Sequence, residues 1–166
     1  MTAEDEIKAE PAPSADRWLT PEQLDSWMSL TRLMTRLPWA IDADLQRAAG
    51  LSLIEYMAMA KLAGSPERTM RMSELAEQTS ASLSRLSHLV KRLEERGWVR
   101  RAADAADGRF TNAILTPDGM RKLESAASAH VATVRRLVID NLTPERLRRL
   151  GQDADRIVGR IASPAR

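Results

Sequence analysis

Apolar positions follow helical spacing over most of this chain and are interrupted by two short β-like runs. Leu24, Trp27, Met28, Thr31 and Met34 form a first stripe, widened by Leu30, Leu33 and Leu37 and continued by Ile41 and Leu45. Thr20-Pro21-Glu22-Gln23 opens it as a capping box with proline at the first helical position, and Gly50 closes it. Pro38 removes one i→i−4 bond, so the pattern predicts one long helix kinked near Pro38, or two abutting helices.

Ser52 then caps a helix over about Leu53–Ala63, which Gly64-Ser65-Pro66 terminates. Met70-Arg71-Met72 reads as a brief extended segment, followed by a two-turn helix capped by Ser73 and ending at Gln78. After the turn Thr79-Ser80-Ala81, a longer helix runs from Ser82 to Arg96 and stops at Gly97. Trp98–Arg101 and Phe110–Leu115 read as strands joined by a turn containing Asp107-Gly108-Arg109. Thr116-Pro117 and Thr143-Pro144 each start a helix. The first is expected to reach about Asn141, with Met120, Leu123, Ala127, Val131, Val134 and Val138 on one face. The second carries Leu147, Leu150, Ala154, Ile157, Val158 and Ile161.

Setting the 82–96 helix at about 100° per residue separates two faces. Leu83, Leu86, Leu89, Val90 and Leu93 fall together and are expected to meet a core. Opposite them lie Ser84, His88, Lys91 and Glu95, flanked by Ser87, Arg92 and Arg85. Lysine and arginine neutralise phosphates, while serine, histidine and arginine reach base edges without crowding, so this mixture suits double-stranded DNA. The first turn, Ser80 to Ser84, also offers hydroxyls and free N–H groups to a phosphate. A helix-turn-helix followed by a hairpin with arginine at its tip is a DNA-docking order, and Asp107 is placed to pair with Arg109 and orient its guanidinium.

Charge sharpens this picture. The 166 residues carry a net charge of +2, but residues 1–16 hold five acids against Lys8, which leaves +6 for residues 17–166. That is a modest bias towards polyanions. Residues 1–16, rich in Ala, Pro, Glu and Ser, read as a disordered acidic tail; without an apolar run they do not resemble a secretory signal. The absence of cysteine excludes disulfides and thiol redox switching and fits a cytoplasmic protein; no apolar run approaches the length of a membrane span. His88 and His130 lie far apart, carboxylates such as Glu74, Glu77, Glu94 and Glu95 occupy ordinary helix positions, and no phosphate loop or Ser/His/Asp arrangement is present. Neither a metal, a cofactor nor catalysis is expected.

The run from Leu51 to Gly119 resembles the multiple-antibiotic-resistance regulator (MarR) family of winged-helix repressors. Five fragments in order carry the resemblance: Leu51–Tyr56, Ser82–Glu94, Gly97–Arg101, Asp107–Arg109 and Leu115–Gly119. It implies a mainly α fold with a small β-hairpin, in which a winged helix-turn-helix lobe (51–116) is flanked by an N-terminal dimerisation helix (17–50) and C-terminal dimerisation helices (117–163). It also implies a homodimeric repressor of a pseudo-palindromic operator, released by a small aromatic or anionic effector. The expected DNA-binding set is Ser82, Ser84, Arg85, Ser87, His88, Lys91, Arg92, Arg101, Asp107 and Arg109. The expected effector cleft draws on Trp27, Met28, Met34, Trp39, Tyr56 and Met57. Where the family often has a further basic residue between the wing aspartate and arginine, this chain has Gly108, which implies a more flexible wing and a weaker contact. The other reading is a winged-helix dimeric adaptor that binds protein and not DNA, against which the basic face of Ser84 to Arg92 argues.

Overall fold

A computed structural model describes residues 18–162; the acidic tail lies outside them. The chain divides into two compact units between Arg36 and Leu37.

Helix α1 spans Pro21–Ala49 and is continuous, with Pro38 inside it, so the alternative of two abutting helices is not realised. Its capping box forms as the sequence predicts: the Thr20 N–H donates to Gln23 Oε1 at 2.9 Å and the Gln23 N–H donates to Thr20 Oγ1 at 3.3 Å. In the first unit Trp18, Leu19, Leu24, Trp27, Met28, Leu33 and Met34 are all exposed.

The second unit holds the core. Gly50, at φ +62, turns the chain from α1 into α2 (Leu53–Gly64), and the left-handed value explains a glycine there. Ser52 and Glu55 complete a capping box at the start of α2. A short 3-10 turn leads to β1 (Thr69–Arg71), then α3 (Met72–Gln78) and α4 (Leu83–Glu95). Helix α3 begins two residues earlier than expected, with Arg71 at its cap and Ser73 inside the first turn, so Ser73 is not the cap. Strands β2 (Val99–Ala103) and β3 (Thr111–Leu115) form the hairpin, and β1 pairs antiparallel with β3, giving a three-stranded sheet in the order β1-β3-β2.

Leu45, Leu51, Met59, Leu62, Leu75, Leu86, Val90, Leu93 and Val99 are the largest fully buried side chains. At about 1.5–3 kcal/mol for each large apolar side chain buried, they hold the lobe together. Helix α5 (Pro117–Leu137) ends before a separate 3-10 turn at Ile139–Asn141 and does not run through it. Its buried face is also turned by about one position from the expected one, to Gly119, Leu123, Ala126 and Thr133, leaving Val131 exposed. Thr133 is tolerated inside because its hydroxyl donates to Asp44 Oδ2 at 2.7 Å. Helix α6 (Pro144–Ala162) leaves Leu150, Ile157, Val158 and Ile161 exposed.

Candidate nucleic-acid interface

The turn between α3 and α4 is tight. Ser80 sits at φ +51, the Ala81 N–H donates to Ala76 O at 2.9 Å, and the buried Thr79 hydroxyl donates to Leu75 O at 2.7 Å. Ser82 ends the turn as the N-cap of α4, its hydroxyl oxygen accepting the Arg85 N–H at 3.3 Å. Leu86, Leu89, Val90 and Leu93 anchor the helix in the core. Leu83, expected among them, is 55% exposed, because the first turn of α4 projects past the residues that cover the rest of that stripe.

Ser84, Arg85, His88 and Lys91 are exposed on the outward side, with Ser87 half-buried beside them. Among the described residues Arg85 and Lys91 make no ion pair. Arg85, His88 and Arg92 also border a cavity of about 430 Å³ that Ile54 and Ser80 help to line.

Arg92 and Arg101 are differently placed from the rest of the expected set. Arg92 Nε lies 3.5 Å from Glu55, a carboxylate only 3% exposed, and Arg96 Nη1 lies 3.7 Å from the same group. Arg101 clamps Glu94: its Nε and Nη2 donate to Oε2 at 2.9 and 2.7 Å, and its backbone N–H donates to Oε1 at 3.0 Å. These bonds hold the Glu94 carboxyl below its usual range. Arg101 therefore joins α4 to β2, and its charge is already matched.

The wing tip has the anticipated pair. Arg109 Nε donates to Asp107 Oδ1 at 2.9 Å and Nη2 donates to Oδ2 at 2.6 Å, while Arg109 stays 85% exposed. Those hydrogen bonds lower the Asp107 carboxyl and raise the Arg109 guanidinium. Gly108 has no left-handed backbone value, so its conformational freedom is not used.

Sequence reasoning missed the base of the wing. Asp104 accepts the N–H groups of Ala106 and Asp107 at 2.9 and 3.1 Å, Asn112 Nδ2 at 3.2 Å and Arg71 Nε at 3.3 Å. Its carboxyl is lowered first by the Asp107 N–H, then by Ala106 and Asn112. The Arg71 guanidinium also lies 4.4 Å from the centre of the Phe110 ring. Asp-Ala-Ala-Asp was the available signal, since an aspartate accepting N–H groups two and three residues on is a common turn device.

The six expected effector residues are not brought together within either unit. Trp27, Met28 and Met34 are exposed in the first unit. In the second, Trp39 and Met57 line a shallow groove of about 340 Å³ with Pro38, Asp42, Leu53 and Ile54. Tyr56 packs elsewhere, with its ring centre 4.4 Å from that of His130. Burial raises the Tyr56 phenol and lowers the His130 imidazole, whose Nδ1 is buried and, among the described residues, has no hydrogen-bond partner. Among the described residues no group of three metal-ligating side chains occurs, and no helix is long and apolar enough to cross a membrane.

The MarR family sequence profile matches residues 49–109. A MarR family transcriptional regulator from Streptomyces coelicolor, crystallised in complex with DNA, is 44% identical over 89% of this chain and 96% of its own, with a TM-score of 0.83. AbsC, another such regulator from the same organism, is 36% identical over 88% of this chain and 98% of its own, also at 0.83. CouR from Rhodococcus jostii RHA1, solved with p-coumaroyl-CoA, shares the fold at 23% identity and a TM-score of 0.70, over 86% of this chain and 94% of its own. No curated protein matches the chain in sequence.

Proposed function

Because the chain belongs to the MarR family of transcriptional regulators, we propose that it is a homodimeric, sequence-specific DNA-binding regulator that represses a pseudo-palindromic operator and leaves it when a small molecule binds. The observation that carries this reading is the outward side of α4, where Arg85 and Lys91 stand unpaired beside Ser84 and His88, together with an exposed wing arginine oriented by Asp107. In this reading Arg85, Lys91 and Arg109 hold phosphates, Ser84 and His88 read base edges, and Ser82 and Ser87 support the first turns of the helix. Arg92 contributes charge from its tether to Glu55, and Arg101 keeps β2 in register with α4. The relative crystallised with DNA supports the same partner for this chain. An adaptor that binds only protein has no need of the unpaired cations.

Residues 17–50 and 117–163 are the dimerisation segments. The apolar residues exposed on the first unit, and on α6, need a second copy to cover them. Two α4 helices then enter successive major grooves, and loss of one half-site costs the whole dimer its avidity. The groove beside Trp39 and Met57 offers an aromatic effector an apolar seat, in line with the p-coumaroyl-CoA bound by CouR. The protein works in the cytoplasm and without catalysis.

Selection of duplexes from a genomic pool tests the function directly. An inverted repeat with half-sites about one helical turn apart is expected. Specific binding should weaken steeply with salt, and Arg109→Ala should weaken it and flatten that slope. Recovery of no preferred sequence, with salt-insensitive binding, overturns the reading.

A further inference from the structure

We propose that Asp104 is the positioning residue of the wing, delivering Arg109 to DNA by tying the loop at once to β3 and to the start of the helix-turn-helix. The inference rests on the regulator reading. The wing loop runs from residue 104 to 110, beyond the last β2–β3 pair, Ala103 with Thr111. Beyond one backbone bond across its neck and one from the Phe110 N–H to Asp107 O at 3.0 Å, this loop needs another source of order before a side chain at its tip can bind without a large entropic cost.

The Asp104 carboxylate supplies it. The backbone N–H of the same residue makes the neck bond, donating to Phe110 O at 2.9 Å. One carboxylate oxygen, Oδ1, accepts the Ala106 and Asp107 N–H groups and shapes the first half of the turn. The other, Oδ2, accepts from Asn112 on β3 and from Arg71. Arg71 is the last residue of β1 and the N-cap of α3, so this bond links the wing to the first helix of the reading motif. Arg71 also stacks on Phe110, the residue after Arg109. At the tip, Asp107 aims Arg109; at the base, Asp104 holds Asp107.

The sign of the effect separates this role from simple electrostatics. A carboxylate near DNA repels phosphate, so removing its charge alone should tighten binding. Positioning demands the reverse. Wild type, Asp104→Ala, Asp104→Asn, Asp104→Glu, Arg109→Ala and the Asp104→Ala/Arg109→Ala double variant are titrated at two salt concentrations. The probe is a duplex recovered with the wild-type protein. Asparagine keeps the Oδ1 acceptor for the two loop N–H groups but turns an amide donor towards Asn112 and Arg71, so it should bind more weakly than wild type and better than alanine. Alanine should lose about tenfold, a loss of the size expected when the contact side chains of two wings must be ordered on binding. Glutamate, with its charge unchanged but its carboxylate displaced, should weaken binding in the same direction. The double variant should match Arg109→Ala alone, because a mispositioned arginine has nothing left to lose.

Hydrogen exchange in the free protein supplies a readout independent of DNA: the Ala106 and Asp107 amides should be protected in wild type and Asp104→Asn but not in Asp104→Ala. Asp104→Glu carries the binding comparison where the alanine variant does not fold. Binding by Asp104→Ala and Asp104→Glu at or above wild type, or additivity with Arg109→Ala, overturns the proposal while Arg109→Ala still shows the wing at work. A wild-type protein that selects no duplex overturns the regulator reading instead.

Discussion

Glu55 on α2 and Arg92 on α4 form an ion pair at 3.5 Å, with the carboxylate buried and the guanidinium half in solvent. The same carboxylate accepts the Ser52 N–H at 2.9 Å and faces Arg96 at 3.7 Å. One acidic side chain thus caps the helix before the reading motif and ties the reading helix to it.

Its loss should therefore be felt twice. Glu55→Ala removes the cap and leaves two cations without their partner, and should cost about 2–4 kcal/mol. Glu55→Gln retains an acceptor for the Ser52 N–H and should cost about half as much. Urea unfolding of the two variants checks this; equal losses would show that the ion pair, not the cap, is what matters.

Gly108 adopts ordinary backbone values, and a Cβ there meets nothing within 4 Å. Gly108→Lys should fold normally, tighten duplex binding several-fold and steepen its salt dependence by about one counterion per wing. Fluorescence anisotropy at a series of salt concentrations reads both effects.

Gly119 has no such room. A Cβ at this position would stand 2.0 Å from the Trp98 carbonyl oxygen and 2.7 Å from Leu115 Cδ1. That oxygen is backbone, and it also receives the Thr116 N–H at 3.0 Å, so it cannot step aside. Gly119→Ala should cost at least about 3 kcal/mol and lower the melting temperature by about 6–12 °C.

Ile157 is half exposed on a stripe of α6 with Leu150, Val158 and Ile161. Under the dimer reading, Ile157→Arg should yield a monomer by analytical ultracentrifugation and abolish tight operator binding while the lobe stays folded. A variant that remains dimeric would move the interface away from α6.

His130 sets a pH dependence. Burial lowers its folded-state value below the ordinary 6.5, so the unfolded chain binds the proton more readily. Stability is then complete above pH 6.5 and falls as the pH drops below it. Thermal melts between about pH 7.5 and 5.5 should show the loss. His130→Phe, which keeps an aromatic ring against Tyr56 and cannot titrate, should flatten it.

Much of this molecule was legible residue by residue. Thr20 with Gln23, Ser52, Ser82 and Thr116 cap the helices they precede, because cap chemistry is satisfied by atoms within four residues. The Asp107–Arg109 pair is local in the same sense. Leu83 was misjudged because periodicity tells which side of a helix is apolar, not how far along it the core extends. Arg92 and Arg101 looked like free cations until the fold brought Glu55 and Glu94 to them.

Short-range chemistry written in the chain thus settled where most helices begin, though not the start of α3 or the end of α5, and also which side of α4 carries cations and hydroxyls and which arginine sits at the wing tip. Folding settled the rest: which cations remain unpaired, that Tyr56 lies against His130 and not in the groove of Trp39 and Met57, and that Asp104 reaches back to Arg71. The physical reason is distance along the chain. Asp104 and Arg71 are 33 residues apart, and no local pattern encodes a partner that only the antiparallel register of β1 on β3 brings within reach.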